Sequence, residues 1–175
     1  MKNTLKISAI LLLVAGMTFS AKAQEADPVT ETATATATIV TPLTLTNAGN
    51  MNFGNITATT AGGTVVLAPG GGRTESGVQL PSTTGTVSAA SFEVTGEANY
   101  AYTVTLPVTH EITKEGSTEV MALSDFTTSL GETNSGSLVA GAGSFTVGAT
   151  LTLLANQVSG TYTNASGFTV SVVYN

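Results

Sequence analysis

The amino-acid sequence predicts an all-β protein, an antiparallel β-sandwich that follows a cleaved signal peptide. Three observations support this class. Apolar and hydroxyl-bearing residues alternate over several runs, as expected for strands with one buried and one solvated face. The 175 residues include 33 Thr and 19 Gly; Thr favours strands, whereas Gly favours turns. Charged residues make up 9% of the chain, far fewer than a long charged helix or coiled coil needs.

The first 23 residues have the pattern of a secretory signal peptide. Two lysines lead into an apolar stretch at residues 7–19, which is shorter than the ~20 residues that span a bilayer. Ala21 and Ala23 place small residues at positions −3 and −1 of a cleavage site before Gln24. We therefore predict export to the periplasm, the cell surface or the extracellular space, with no membrane span.

The mature chain is expected to consist of a short acidic arm, residues 24–31, and a single domain, residues 32–175. Its 152 residues are enough for one hydrophobic core. Its cationic residues are Arg73 and Lys114, and it has eleven carboxylates, so the net charge is −9. Such a chain has no basic surface to bind phosphates, and we predict no nucleic-acid partner. With no Cys, a disulfide framework is excluded.

Four runs show the strongest strand alternation. Their apolar members occupy the odd positions of 33–45, the even positions of 100–108, the odd positions of 145–153 and the even positions of 168–174. Short strands with one solvated face and frequent turns favour an antiparallel sandwich over a parallel sheet. Weaker strand signals lie at 63–68, 77–80, 86–95 and 120–130, between turn clusters rich in Gly, Asn and Ser.

The run at 120–130 is ambiguous. Val120, Leu123, Phe126 and Leu130 also have the spacing of an amphipathic helix. We favour a strand here because the neighbouring runs are all of strand type, and the helix stays open as an alternative.

The first run begins with Ala33, Ala35 and Ala37, which are too small to fill much of a core. One interpretation is a first strand at a sheet edge, in which Ile39 packs as an ordinary core residue. The other is an N-terminal arm that adds as a strand to the open sheet edge of another molecule. We favour the first interpretation.

No group of residues points to catalysis. Residues 110–115 begin with His-Glu but lack the second His of the H-E-x-x-H metal motif, and we expect them to form an exposed loop. Glu93 and Glu97 flank a predicted strand end, where solvated charge is the usual explanation. The chain contains no G-x-S-x-G nucleophile motif. We therefore predict no enzyme activity, no catalytic or metal-binding residues and no cofactor.

Three regions resemble a known family. They are the Thr-Ala run leading into residues 42–56, residues 71–73 with 91–96, and the C-terminal segments 147–151, 160–163 and 168–175. Together they resemble the secreted bacterial family called domain of unknown function 4402. The ending is also similar to fimbrial subunits and spore-coat-protein-U-like pilins. This wider resemblance implies an immunoglobulin-like, pilin-like sandwich that assembles by strand exchange.

We accordingly expect a structural or adhesive protein of a Gram-negative envelope, with a fimbria-like subunit as its most specific form. Like subunits or other envelope proteins are the expected partners. Strand pairing or core packing is assigned to the alternating residues of the two terminal runs, namely Ala33, Ala35, Ala37, Ile39, Phe168, Val170, Val172 and Tyr174. The alternative function is a self-contained monomeric module that binds a glycan or a protein.

Overall fold

The computed structural model describes residues 26–175, and all regular secondary structure in this range is β-strand. The predicted all-β class is therefore confirmed. The strands in chain order are β1 (Thr44–Gly49), β2 (Gly63–Leu67), β3 (Arg73–Ser76), β4 (Ala90–Thr95), β5 (Ala101–Thr105), β6 (Thr109–Lys114), β7 (Val120–Thr128), β8 (Ser135–Ser137), β9 (Ala142–Leu153), β10 (Tyr162–Thr163) and β11 (Ser171–Tyr174).

The strands form two antiparallel sheets. The larger has the order β1-β4-β9-β7-β6-β10, and β2 joins it by pairing with both β9 and β3. The smaller has the order β11-β5-β8. The two sheets pack as a sandwich, as the alternation predicts. Residues 26–37 belong to a separate unit and have no regular secondary structure.

One hydrophobic core lies between the two sheets. Phe92 of β4 stacks on Phe145 of β9 at a centroid distance of 5.3 Å, and Tyr102 of β5 covers Phe145 from the smaller sheet. These side chains are buried because the alternation places each on the inner face of its strand. The buried members of this core are Ala90, Phe92, Val94, Tyr102, Val104, Leu138, Phe145 and Val147.

A second core lies under the other half of the larger sheet, where loops form the cover. Leu123 and Leu151 lie opposite each other on β7 and β9, and Phe53 and Val78 from non-strand segments pack against this surface. The smaller sheet therefore covers one half of the larger sheet and irregular chain covers the other. This division leaves room for the cleft described below.

The prediction of a first strand at residues 33–45 is wrong over most of this range. Residues 33–43 have no strand assignment, and the core position expected for Ile39 is also wrong, because its side chain is 97% exposed in the single chain. Alanine side chains bury little apolar area, so they do little to offset the entropy lost when a segment is ordered. Leu43 and Leu45 do pack against the core between the sheets, as expected.

The ambiguous run at 120–130 is strand β7, and its helical spacing has a structural cause. The pairing of β7 with β9 shifts register between Ser124 and Thr127, where Asp125 has a φ of 48°. This β-bulge adds one residue to the strand, so the inward positions change from a spacing of two to a spacing of three. The bulge therefore explains the helical spacing of Leu123 and Phe126, whereas Val120 is exposed and does not belong to the inward face.

Residues 110–114 form most of β6, so the prediction of a loop there is wrong. Pro107 ends the preceding alternation, and the chain turns directly into β6 to pair with β7. Val108, expected to face the core, is 86% exposed in this turn. The predicted signal peptide and its cleavage residues Ala21, Ala23 and Gln24 lie outside the described residues.

Candidate functional site

Strand β11 is an edge strand of the smaller sheet, bonded on one side to β5. Its inward residues are Val172 and Tyr174, and both pack against the core between the sheets, as do Phe168 and Val170 in the segment just before the strand. They alternate with exposed residues as predicted, but each is only half-buried. We call these four residues, together with the side of β11 that has no strand partner within residues 26–175, the β11 edge.

Tyr174 attaches the end of β11 to two other parts of the chain. Its hydroxyl donates a hydrogen bond to the Thr41 carbonyl oxygen at 2.7 Å and accepts one from the Glu97 backbone N–H at 2.6 Å. The Thr41 N–H in turn donates to a carboxylate oxygen of Glu97 at 2.9 Å. Gly96 makes this possible, because a Cβ there would collide with the Tyr174 hydroxyl. The β11 edge is thus held at its C-terminal end.

The Thr41 hydrogen bonds make the contribution of Glu97 to stability depend on pH. The backbone N–H of Thr41 stabilises the ionised carboxylate and lowers the pKa of Glu97 below its ordinary value of 4.5. A lowered folded-state pKa adds stability that is present above pH 4.5 and is lost as the pH falls through the folded-state value.

We expect the Glu97 carboxyl carbon to titrate below pH 4.5 by NMR, and Glu97→Gln to reduce the acid dependence of thermal unfolding. A Glu97 titration at or above pH 4.5 contradicts this prediction.

The residues predicted for strand pairing at the N-terminal end do not pack against the core as those of the β11 edge do. Ala33, Ala35 and Ala37 are exposed and belong to no strand, as is Ile39. Their pairing with another molecule therefore stays a prediction.

A cleft of about 1140 Å³ lies in the loop-covered half of the domain. Its floor is the inner face of β6, β7 and β9, and its two walls are the segments 47–58 and 157–168. The alternation of the strands does not predict this cleft, because its walls come from irregular chain.

Arg73 and Asn55 hold the first wall in place. The Arg73 guanidinium donates to the carbonyl oxygens of Phe53 and of Asn55, the latter at 3.1 Å. The Asn55 side-chain amide donates to the Thr83 carbonyl oxygen at 3.0 Å. One of the two cations of the predicted mature chain therefore has a structural role that its Gly-rich sequence context does not indicate.

Gln157 holds one end of the second wall. Its side chain is 9% exposed; its oxygen accepts from the Leu154 N–H at 3.0 Å, and its nitrogen donates to the Val120 carbonyl and the Tyr162 hydroxyl. The Tyr162 hydroxyl donates onward to the Val158 carbonyl oxygen at 2.7 Å. A buried amide with all its groups bonded makes a rigid anchor.

Asn164 holds the other end of the second wall to β6. Its side-chain nitrogen donates to the Glu111 carbonyl at 2.9 Å, and its oxygen accepts from the Ser166 N–H at 2.8 Å. These two partners orient the amide so that the nitrogen also faces Nε2 of His110 at 2.8 Å. Because a side-chain amide nitrogen only donates, Nε2 is the acceptor in this contact.

The residues that the sequence analysis considered for catalysis or metal binding do not form one site, because each has different contacts. Glu93 lies exposed on β4, whereas Glu97 bonds to Thr41. His110 packs edge-on against Phe168 at a centroid distance of 6.3 Å. Within residues 26–175, no cluster of three or more His, Cys, Asp or Glu side chains has the arrangement of a metal site. This same part of the chain contains no helix with the length and hydropathy that crossing a bilayer requires.

The fold and these features define the class of protein: an all-β domain of two antiparallel sheets, with an open edge strand and a loop-walled cleft. The model of a protein family described as Domain of unknown function (DUF4402) matches residues 43–174. The chain belongs to this family, which confirms the resemblance to it found in the sequence. The wider resemblance to fimbrial and pilin subunits stays a prediction. Neither the curated proteins nor the solved structures contain a match to the chain.

Proposed function

We propose that this protein is an exported structural or adhesive component of a Gram-negative envelope, that it has no catalytic role, and that it associates with like subunits or other envelope proteins by β-strand addition. The observation that carries the proposal is the β11 edge. Its inward side chains pack on the core yet remain half-buried. An incoming strand would complete their burial and bond to the free backbone groups of β11.

The segment 32–39 has the chemistry of such a strand. Alanine and isoleucine occupy one face at positions 33, 35, 37 and 39, and threonine occupies the other. Eight extended residues span roughly 26 Å, which is enough to run along the seven residues 168–174. Small alanine side chains suit a shallow groove over half-buried residues, while Ile39 supplies the larger apolar contact. This segment is the donor strand of the proposal.

Strand β6 is a poor acceptor by comparison. Part of its edge is paired with β10 at Thr113 and Lys114, and the Asn164 side chain already occupies the Glu111 carbonyl oxygen. A side-chain amide at this point prevents a new strand from bonding there. The proposal therefore places the partner at the β11 edge and not at β6.

The test compares two neighbouring substitutions in the donor segment of the mature protein. We expect Ala35→Arg to convert multimers to monomers in size-exclusion chromatography with light scattering, because the arginine would face the partner's core. Thr36→Arg is the matched control, which places the same charge on the opposite face and should leave assembly intact. Both positions lie outside the strands, so neither change should affect folding.

A monomeric wild-type protein, or equal behaviour of the two variants, would overturn the strand-addition proposal. The first of these outcomes favours the second candidate function, a self-contained module that binds a glycan or a protein ligand. The cleft of about 1140 Å³ is the observation that supports this candidate, since ligand sites are typically concave and have apolar linings with a few polar groups.

A further inference from the structure

The cleft is nearly uncharged. Thirty residues line it, and its ionisable side chains are His110, Glu115 and Tyr162. The predicted mature chain as a whole carries eleven carboxylates and two cations. Within residues 26–175, a cation that lies close to this lining is Lys114, whose side chain packs beside Gly160 at the rim of the cleft. An anionic ligand would have this cation at the rim and an unfavourable field around it, so the lining favours a neutral ligand.

The floor of the cleft is apolar. His110, Leu123 and Leu151 lie side by side on three adjacent strands, with Ile112 opposite Met121 in the next row. The leucines are buried, whereas Ile112 is half-buried and presents aliphatic surface to the cleft. The half-buried rings of Tyr162 and Phe168 line the second wall.

The walls carry exposed hydroxyl groups. Within residues 26–175, exposed hydroxyl side chains line the cleft at Thr57 and Thr86 on one side and at Ser159 and Ser166 on the other. Hydroxyl groups both donate and accept, so they match ligands that also do both. Hydroxyl walls above an apolar floor suit a molecule with an apolar face and a hydroxyl-bearing perimeter.

A peptide fits this cleft less well. Strand addition needs free backbone groups in a row, and the edge of β6 beside the cleft is occupied by β10 and by Asn164. An incoming peptide would find no free row of β6 backbone groups to pair with and would leave many of its own backbone groups unbonded. A sugar chain has no such requirement, because its ring faces are apolar and its hydroxyls point outward.

We propose that the cleft binds a neutral oligosaccharide, with sugar rings lying on the apolar floor and hydroxyls bonded to the two walls. The volume of about 1140 Å³ slightly exceeds the ~300–1,000 Å³ usual for small-molecule sites, which favours several linked sugars over one. This inference rests on the second candidate function and names its ligand class. It does not require strand addition at β11, although Phe168 belongs to both surfaces.

The experiment titrates the monomeric Ala35→Arg protein, or the wild type if that is monomeric, with maltohexaose, cellohexaose and xylohexaose, followed by backbone amide NMR. We expect at least one of these neutral hexasaccharides to shift the amides of Asn55, Tyr162 and Asn164 with a Kd near or below roughly 1 mM. Hexagalacturonate, which is anionic, should leave them unchanged. Failure of all three neutral sugars, or shifts confined to other surfaces, overturns the inference.

A pair of double variants tests the walls. Thr57→Ala with Ser166→Ala removes one hydroxyl from each wall and should weaken binding about tenfold, the equivalent of two neutral hydrogen bonds. Thr109→Ala with Thr113→Ala is the matched control on the outer face of β6 and should leave affinity unchanged. Equal affinities for the two double variants contradict the site. Binding of a peptide in the cleft, without any neutral sugar, would support the binding module but overturn the ligand class.

Discussion

Replacing Tyr102 by alanine is expected to lower the free energy of unfolding by about 4 kcal/mol. The Tyr102 side chain is 1% exposed and its ring lies against Phe145 at a centroid distance of 6.4 Å. Gly136 and Gly143 leave the space that the ring occupies: a Cβ on Gly136 would lie 2.5 Å from the tyrosine ring. Truncation therefore creates a cavity whose glycine walls have no side chains to fill it.

Chemical denaturation of the Ala35→Arg monomer background measures this effect without interference from assembly. Tyr102→Phe is the control and should cost far less, because it keeps the ring. Burial raises the pKa of Tyr102 above 10.0, so its contribution to stability is present below pH 10.0 and is lost as the pH rises further. Tyr102→Phe should consequently be less sensitive to alkaline pH than the parent. A Tyr102→Ala loss below about 1 kcal/mol would contradict the packing described for this core.

Gly148→Ala is expected to destabilise the domain by about 3 kcal/mol. Gly148 lies where β9 changes partner on one side, from β4 at Val147 to β2 at Ala149. A Cβ there would collide with the Leu67 carbonyl oxygen and lie 2.8 Å from the Ala68 carbonyl carbon. Both obstacles are backbone, so relief requires the two strands to move apart.

Gly72→Ala is the matched control for this substitution. A Cβ at Gly72 meets nothing within 4 Å, and the change should alter stability by less than about 0.5 kcal/mol. Thermal unfolding monitored by circular dichroism measures both variants, with an expected loss for Gly148→Ala of roughly 6–12 °C in the melting temperature. Equal melting temperatures would show that β9 approaches β2 less closely than described.

The strand alternation predicted buried residues more accurately in strands that are paired on both sides than in edge strands. Phe145, Val147, Leu151 and Leu153 were correctly predicted as inward-facing, because β9 is paired on both sides and its inner face lies in both cores. At an edge the same pattern was less informative: Phe168, Val170 and their neighbours alternate correctly, but burial there depends on what packs beside the strand. The pattern at 33–39 has no intramolecular strand partner within the described residues.

The candidate site was predicted only in part. The Tyr174 position was identified from its alternation, whereas its bonds to Thr41 and Glu97 join residues 133 and 77 positions apart in the chain. The cleft was not predicted at all, because neither wall has a periodic pattern. Glycine-rich context at Arg73 indicated a turn, yet the same residue supports the first wall through two carbonyl oxygens.

The amino-acid sequence by itself determined the all-β class, the inner faces of the central strands and the family, because strand periodicity and family motifs are local properties of the chain. The tertiary structure decided which strands lie at the sheet edges, where β9 changes partner and which loops enclose the cleft. Those features depend on contacts between residues far apart in the chain. Their energies come from packing and hydrogen bonds that exist only once the two sheets have assembled.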